Sequence, residues 1–479
     1  MKSQQLNPAI FRAYDIRGVY PDSLNAASAL LIGQAIGSEA LERKQKAICV
    51  GYDGRLSSPD LSQALIRGLL RSGIDVIELG MIPTPALYFA THALHTGSGV
   101  MVTGSHNPAD YNGFKIMLGG HTLSGDEIRG LYQRCMADEL AQGSGSLKQQ
   151  TIDTRYLTRL LEGRQRHRPL NVVVDCGNGV PGPFIVALLQ QFDCQVTPLY
   201  CDVDGHFPNH HPDPEKPENL IDLITKVREL KADIGLALDG DGDRLAVISN
   251  QGEIITPDQL ICLFIQDLLQ RRPGVEIVYD VKCSLNLGLL IDKLGGIGDM
   301  WRCGHSMIKN RMRQTGALFG GEFSGHLFFA EQWYGFDDGL YAAIRLLELL
   351  SNNERSAAQL FSQFAPLPCT PMINIAVSDE DKFQLIDEIK KSDFSPATVH
   401  DIDGLRVEYN DGWFGIRPSN TTPMLTLRIE ALTAAALQRI SLQVEQTLKQ
   451  VMPDLQIPEL AVTNYTNPTN RDDIDATVT

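Results

Sequence analysis

Short apolar runs alternate with helix-like stretches along most of this chain, and that alternation constrains its fold more than any other feature. AICV (47–50), VIEL (76–79), VMVT (100–103), VVVD (172–175), IGLALD (234–239), LAVIS (245–249) and EIVYDV (276–281) are apolar and mostly rich in β-branched residues, and they read as buried strands. SPDLSQALIRGLLRSG (58–73) reads as a helix, with Ser58 as its cap, Pro59 in the first turn and a glycine at its end. DDGLYAAIRLLELLS (337–351) has the apolar spacing of an amphipathic helix. Strands alternating with helices predict α/β layers.

At 479 residues the chain is too long for one core, and a prior of about 100–200 residues per domain predicts three or four domains. The small, polar AQGSGSLKQQ (141–150) reads as a linker; further breaks are expected near NQGEIITPDQ (250–259) and the proline-rich APLPCTPM (365–372). These breaks divide the chain into 1–150, 151–252, 253–365 and 366–456, followed by a polar tail, 457–479. No short internal repeat is visible. A net charge of −16 argues against a nucleic-acid partner, whose phosphates attract basic surfaces, but leaves room for a local basic pocket holding a small anion. The first ten residues carry no apolar signal segment, and no run of about 18 apolar residues predicts a membrane span. Nine scattered cysteines without a CxxC pair suit free thiols in a reducing compartment, so the cytoplasm is the expected location.

Four polar segments carry the chemistry. TGSHNP (103–108) follows a buried strand, which places Ser105 on a loop at a strand's carboxyl end, where ligands of α/β sheets bind. Gly104 permits a sharp turn, His106 adjoins the serine and Lys115 follows in YNGFK, so Ser105 can act as a covalent carrier; the plainer reading is a serine in an ordinary turn. LDGDGDR (238–244) sets Asp239, Asp241 and Asp243 at alternate positions between two strands. Three such carboxylates repel unless a hard cation such as Mg²⁺ or Ca²⁺ compensates them, although a solvated acidic turn is the alternative. An EF-hand is excluded, since its glycine and glutamate positions hold Arg244 and Asn250.

GGEFSGH (320–326) places Glu322 and Ser324 two apart, so in an extended segment both face the same way and can bind neighbouring sugar hydroxyls; a plain polar loop is as good a reading. RPSNTTP (417–423) combines a guanidinium with hydroxyls and an amide, either a phosphate cradle or a turn. Arg17 in YDIRG, Lys282 in VKCS and His305 in GHSMIK each read as structural when taken alone. Gly177, Gly179 and Gly182 fit GxGxxG after VVVD, but Pro181 and Pro183 crowd the turn, which favours a strand-to-helix connection over a dinucleotide site.

Taken in order over residues 10–450, YDIRG, TGSHNP with YNGFK, DGDGDR, VKCS, GHS, GEFSGH and RPSNTTP resemble the α-D-phosphohexomutase superfamily, most closely its bacterial phosphomannomutase/phosphoglucomutase group. The resemblance implies four domains around a central cleft, the first three sharing a mixed α/β fold and the fourth a smaller α+β domain. It implies a phosphoserine at Ser105, one Mg²⁺ held by Asp239, Asp241 and Asp243 with a phosphoserine oxygen, and a substrate contact at Arg244. Glu322 and Ser324 become sugar readers supported by His326, and Arg417, Ser419, Asn420 and Thr421 the distal phosphate site. Arg17, His106, Lys115, Lys282 and His305 become groups that bind oxygens or aid proton transfer. The implied activity interconverts hexose 1-phosphate and hexose 6-phosphate, mannose and glucose alike, through a 1,6-bisphosphate, with glucose or mannose 1,6-bisphosphate as activator. A phosphoglucosamine mutase and a metal-dependent sugar phosphatase are the rivals. Sugar phosphates are the expected partners, in a monomer or weak dimer without nucleic acid or membrane. Domain 4, residues 366–455, is expected to move relative to the rest.

Overall fold

The computed structural model describes residues 6–378, 380–419 and 424–453, and Asn420, Thr421 and the polar tail lie outside them. The first sheet holds β1 (Ile16–Val19), β2 (Ala47–Tyr52), β3 (Asp75–Met81), β4 (Gly99–Val102), β5 (Tyr111–Leu118), β6 (His121–Thr122) and β7 (Leu147–Gln149). The second holds β8 (Asn171–Asp175), β9 (Gln195–Leu199), β10 (Ile234–Leu238), β11 (Leu245–Ser249) and β12 (Ile254–Ile255). β13 (Glu276–Asp280), β14 (Ile297–Trp301) and β15 (Phe319–Gly321) follow, then β16 (Leu327–Phe329). The last sheet is β17 (Ile373–Ala376), β18 (Thr398–His400), β19 (Leu405–Tyr409), β20 (Gly412–Pro418) and β21 (Met424–Ala431), antiparallel throughout in the order β17-β21-β20-β19-β18.

One plan recurs three times. In chain order the first of three parallel strands (β2, β8 or β13) lies between the other two, β3 and β4, β9 and β10, or β14 and β15. The third strand then runs into a polar loop. After β4 and β10 the chain returns antiparallel as β5 and β11. TGSHNP, DGDGDR and GEFSGH therefore stand at the same topological place, the carboxyl end of the third strand. Four domains of mixed α/β character result, and the repeat is one of topology that no sequence period betrays.

The described residues form two compact units: one runs to Ile255 and includes Ser324–Leu360, the other is Thr256–Phe323 with the described chain from Phe361 onward. In the first, helices Ala26–Glu42 and Ser58–Ser72 cross closely because a Cβ on Gly33 would meet the Leu65 carbonyl at 2.3 Å and one on Gly68 the Leu30 carbonyl at 2.1 Å. Leu61, Leu65 and Leu69 from that second helix are fully buried, each contributing about 1.5–3 kcal/mol of apolar burial. The helix ends at Gly73 in the left-handed region, as expected, but its cap position is Ser57. Ser58 turns its hydroxyl to Asp53 Oδ1 at 2.5 Å instead.

Every predicted strand is present. Those ending in VMVT, IGLALD and EIVYDV stop one residue early, which leaves Thr103, Asp239 and Val281 on the loops. The expected linker 141–150 is not a bare connection, because β7 pairs in parallel with β3 at the sheet's edge. All nine cysteines are free thiols. Among the described residues no helix is long and apolar enough to cross a membrane.

Candidate active site

Ser105 is buried and held at φ 49°, a left-handed conformation that ordinary side chains avoid. Its hydroxyl donates to Asp239 Oδ2 at 2.8 Å and lies 3.2 Å from His106 Nδ1. The loop is shaped by two residues that sequence reasoning missed, Asp53 and Arg55. Asp53 Oδ2 accepts from Thr103 Oγ1 at 2.7 Å and from Gly104 N at 3.2 Å. The Arg55 guanidinium donates to the Ser105 carbonyl at 2.7 Å. Their one signal in the sequence is GYDGR (51–55), a charged pair directly after a buried strand. Arg17 reaches the same loop, donating to Asn107 Oδ1 at 2.5 Å while pairing with Asp15.

The aspartate loop presses against this one. A Cβ on Gly240 would fall 2.4 Å from the Ser105 carbonyl oxygen, so only glycine allows the approach. The turn at Gly177–Gly179 packs on the same residue, with Val180 N donating to the Gly240 carbonyl at 3.2 Å. That GxGxxG match therefore serves an internal contact.

Asp239, Asp241 and Asp243 are fully buried, and their oxygens lie within 4.8 Å of one another. Asp239 Oδ1 accepts from the backbone of Gly242 and Arg244 at 3.0 and 3.3 Å. Lys115 bridges Asp241 Oδ2 at 2.7 Å and Asp243 Oδ2 at 2.5 Å, and Thr84 Oγ1 donates to Asp241 Oδ2 at 2.5 Å. Asp241 Oδ1 and Asp243 Oδ1 have no hydrogen-bond partner. Burial and mutual repulsion push the pKa of Asp239 well up and raise that of Asp243. Burial also acts on Asp241, but Lys115 and Thr84 outweigh it and hold that carboxyl low. Three buried carboxylates share one ammonium and, 4.0 Å from Asp239 Oδ2, the Arg244 guanidinium, while Asp241 Oδ1 and Asp243 Oδ1 accept no hydrogen bond; such a set fits a hard divalent cation.

Beside them, Arg244 Nε donates to His326 Nε2 at 3.0 Å, and its Nη1 lies 3.4 Å from Glu215. Burial opposes the Arg244 charge, but Glu215, Asp239, Asp243 and Asp213 more than offset it. His326 Nδ1 faces Asp337 Oδ2 at 3.2 Å, another contact without a sequence signal. Burial, then Arg244, Arg17, His326 and Lys115, drive the His106 pKa well down, so that ring is neutral. The first unit thus joins Arg17, Ser105, His106, Lys115, the three aspartates, Arg244 and His326 into one network. Ser324, two residues before His326, is half-exposed.

The second unit holds Lys282, His305, Glu322, Arg417 and Ser419. Glu322 Oε1 accepts from Gly304 N at 2.5 Å, at the start of helix His305–Thr315. The backbone beyond Glu322 forms a turn with Gly325 at φ 86°, so the extended geometry expected for Glu322 and Ser324 gives way to a bend. His305 Nδ1 lies 3.1 Å from Lys309 Nζ. Asp280 accepts from Lys282 N at 2.7 Å and from Phe323 N at 3.0 Å, tying the two loops together. Arg417 pairs with Asp403 at 3.0 Å, and Asp403 also accepts from Cys303 N at 3.2 Å. The Ser419 carbonyl accepts from Lys382 Nζ at 2.7 Å.

Known proteins match this arrangement along nearly the whole chain. Family models described as phosphoglucomutase/phosphomannomutase alpha/beta/alpha domains I, II and III match residues 8–142, 154–252 and 256–367, and the family's C-terminal domain matches 372–447. A phosphomannomutase/phosphoglucomutase of Pseudomonas putida is 51% identical over 95% of this chain and 98% of its own. A phosphoglucomutase of Neisseria meningitidis is 47% identical over 92% of this chain and 96% of its own. A crystal structure of a phosphoglucomutase/phosphomannomutase family protein from Burkholderia thailandensis superposes with a TM-score of 0.90 at 45% identity, covering 95% of this chain and 100% of that one.

Proposed function

The chain belongs to the phosphoglucomutase/phosphomannomutase family and is a hexose phosphate mutase; from that premise we propose that it interconverts hexose 1-phosphate and hexose 6-phosphate through a phosphoserine at Ser105 and a hexose 1,6-bisphosphate. One observation supports the reading: the Ser105 hydroxyl sits between a neutral imidazole and Asp239, the first of three clustered aspartates of which two keep a buried oxygen without a hydrogen bond.

The resting protein carries phosphate on Ser105. The bond from phosphorus to Ser105 Oγ breaks as one forms to the free sugar hydroxyl, whose proton passes to a base. Ser105 Oγ then holds negative charge or a proton, and His106, 3.2 Å away, is placed to exchange that proton. After the bisphosphate turns by about half a revolution, the second phosphoryl group returns to Ser105. Asp239, Asp241 and Asp243 would hold Mg²⁺, which when bound offsets charge on the transferring group. Lys115 and Arg244 supply fixed positive charge around that position. Arg417, held by Asp403, with Ser419, Asn420 and Thr421, binds the phosphate that does not react. Glu322 and Ser324 read neighbouring ring hydroxyls, with His326 supporting them. O3 and O4 exchange places under the half turn, so a reader of these two ignores C2 and accepts mannose and glucose. Lys282, His305 and Arg17 bind substrate oxygens. Glucose or mannose 1,6-bisphosphate primes a Ser105 that has lost its phosphate.

The test mixes the protein with Mg²⁺, a trace of glucose 1,6-bisphosphate, and mannose or glucose 1-phosphate, followed by phosphorus NMR with Ser105→Ala as control. Both sugars should become 6-phosphates without free phosphate, and the control should be inactive. Free phosphate as main product would make the chain a sugar phosphatase; conversion of glucosamine 1-phosphate in preference to both would make it a phosphoglucosamine mutase.

A further inference from the structure

Arg55 belongs to none of the chemistry-bearing motifs, yet its side chain is 1% exposed and its guanidinium is spent on the loop of Ser105. Nη2 donates to the carbonyls of Ser105 at 2.7 Å and Asn107 at 2.6 Å, and Nη1 to that of Tyr111 at 2.9 Å and to that of Pro108. Nε lies 3.2 Å from Asp53 Oδ2. That same carboxylate takes the Thr103 hydroxyl and the Gly104 amide, and its other oxygen takes Arg55 N at 3.0 Å and Ser58 Oγ at 2.5 Å. A Cβ on Gly104 would come within 2.6 Å of Arg55 Cζ and 2.8 Å of the Tyr111 carbonyl oxygen, so the guanidinium and a carbonyl it holds together demand the loop's glycine.

An apolar side chain of similar volume would fill this space without burying a charge. What arginine alone supplies is a planar fork of donors, here aimed at four carbonyls of one nine-residue turn, 103–111. That turn holds Ser105 at φ 49°, a conformation that persists only where its surroundings over-determine it. The Ser105 carbonyl is fixed from both sides, by Arg55 and by the close approach of Gly240.

We propose that Arg55, braced by Asp53, is a positioning residue for phosphoryl transfer: it locks the backbone of 103–111 so that Ser105 Oγ keeps its place between His106 and Asp239 whether or not it carries phosphate. The inference rests on Ser105 being the carrier. Both terminal nitrogens of Arg55 are spent on backbone carbonyls, and its influence passes through them.

The test is Arg55→Lys in the full chain, assayed with Mg²⁺ and glucose 1,6-bisphosphate. Lysine keeps the charge and the stem but cannot span four carbonyls from one nitrogen. With the fold intact by circular dichroism, kcat should fall about 100-fold while KM for the hexose 1-phosphate moves less than about threefold, because misplacement of the reacting atom by about 1 Å costs rate rather than uniform binding. Intact-mass measurement after incubation with the bisphosphate should show much lower phosphate occupancy on Ser105 than in the unmodified protein. A folded variant with unchanged kcat and occupancy overturns the proposal, as does a loss that only matches the unfolded fraction. Where Arg55→Lys does not fold, Gly104→Ala pushes on the same guanidinium with Asp53 and Arg55 retained, and unchanged kcat there overturns it equally. Ser105→Ala run alongside separates the premises: mutase activity surviving in that variant overturns the carrier role, whereas activity lost there but kept in Arg55→Lys overturns the role of Arg55 alone.

Discussion

Each compact unit contains a cluster of buried carboxylates, and the two clusters are completed differently. In the second unit, Asp258 and Glu430 share Arg428, at 3.2 and 3.3 Å. Neutral donors fill what remains: Ser284 N on Asp258 Oδ1 at 3.0 Å, and Ser284 Oγ, Leu285 N and Trp413 Nε1 on Glu430 Oε1 at 2.9, 2.9 and 3.1 Å. Every carboxylate oxygen there has a partner. In the first unit, Lys115 is the ammonium hydrogen-bonded to Asp241 and Asp243, and Asp241 Oδ1 and Asp243 Oδ1 accept no hydrogen bond, His326 Nδ1 standing 3.7 Å from the latter. A finished charge cluster holds strands and loops together; one left short of positive charge is poised for a ligand that brings it.

The largest effect should come from Asp239→Asn. The amide keeps the shape and can still accept from Gly242 N, but it removes a carboxyl that a bound cation would hold ionised. Mutase activity should fall by at least about 1,000-fold, whereas the melting temperature in EDTA should stay level, because in the cation-free protein burial and the neighbouring carboxylates already disfavour a charge on Asp239. A melting temperature several degrees lower would mean that the cluster is balanced as it stands, and the contrast would break.

Arg428→Met makes the opposite probe. It strands Asp258 and Glu430 without their shared cation, and also removes the guanidinium stacked 3.9 Å over Phe323. Loss of a buried pair's partner should cost about 3 kcal/mol, read from the denaturant midpoint. A loss below about 1 kcal/mol would place this cluster among those that neutral donors alone can satisfy.

Magnesium sharpens the difference. At about 100 times its dissociation constant a cation binding only the native state adds about 2.7 kcal/mol. Thermal midpoints with and without Mg²⁺ should show that gain in the unmodified chain and little of it in Asp239→Asn, while the Arg428→Met deficit persists. Equal gains in the unmodified chain and Asp239→Asn would place the ion elsewhere.

How far the chain could be read from its residues follows the same line. Ser105 and the three aspartates announce themselves because short-range pattern suffices: polar residues directly after apolar runs, glycines where loops must curl, like charges crowded together. Asp53, Arg55, Asp337, Asp403 and Arg428 do not, because each is an ordinary charged residue that meets a partner between 11 and 146 positions away. The threefold plan of the sheets, which the family resemblance implies, is equally hidden in strand pattern and spacing alone. Topology depends on the order and direction of strands, which different apolar residues satisfy equally well. β5 escaped notice as a strand since it opens with Tyr-Asn-Gly, residues that read as a turn, although burial of all but its first residue makes it central to the first sheet.

Asp338 supplies the smallest and sharpest test, since it is a third buried carboxylate finished by neutral donors alone. Tyr156 OH donates to both its oxygens at 2.9 Å, and Tyr341 N donates to Oδ1 at 2.9 Å as Asp338 caps helix Gly339–Ser351. Burial lifts its pKa to about 7, against which those hydrogen bonds pull only partly. The folded protein therefore binds this proton more tightly than the unfolded chain. Its contribution is fully present below the unfolded carboxylate range and is lost as pH rises through about 7. Between pH 6 and pH 8 that amounts to about 1 kcal/mol of declining stability. Asp338→Asn retains the acceptor for Tyr341 N and has no proton to lose, so its stability should fall by about 1 kcal/mol less over the same interval, read from parallel denaturant titrations. Identical pH slopes for the two proteins would show that neutral donors keep a buried carboxylate ionised at no cost. The finished and unfinished clusters would then differ in geometry alone, and the want of positive charge around Asp241 and Asp243 would no longer argue for a cation.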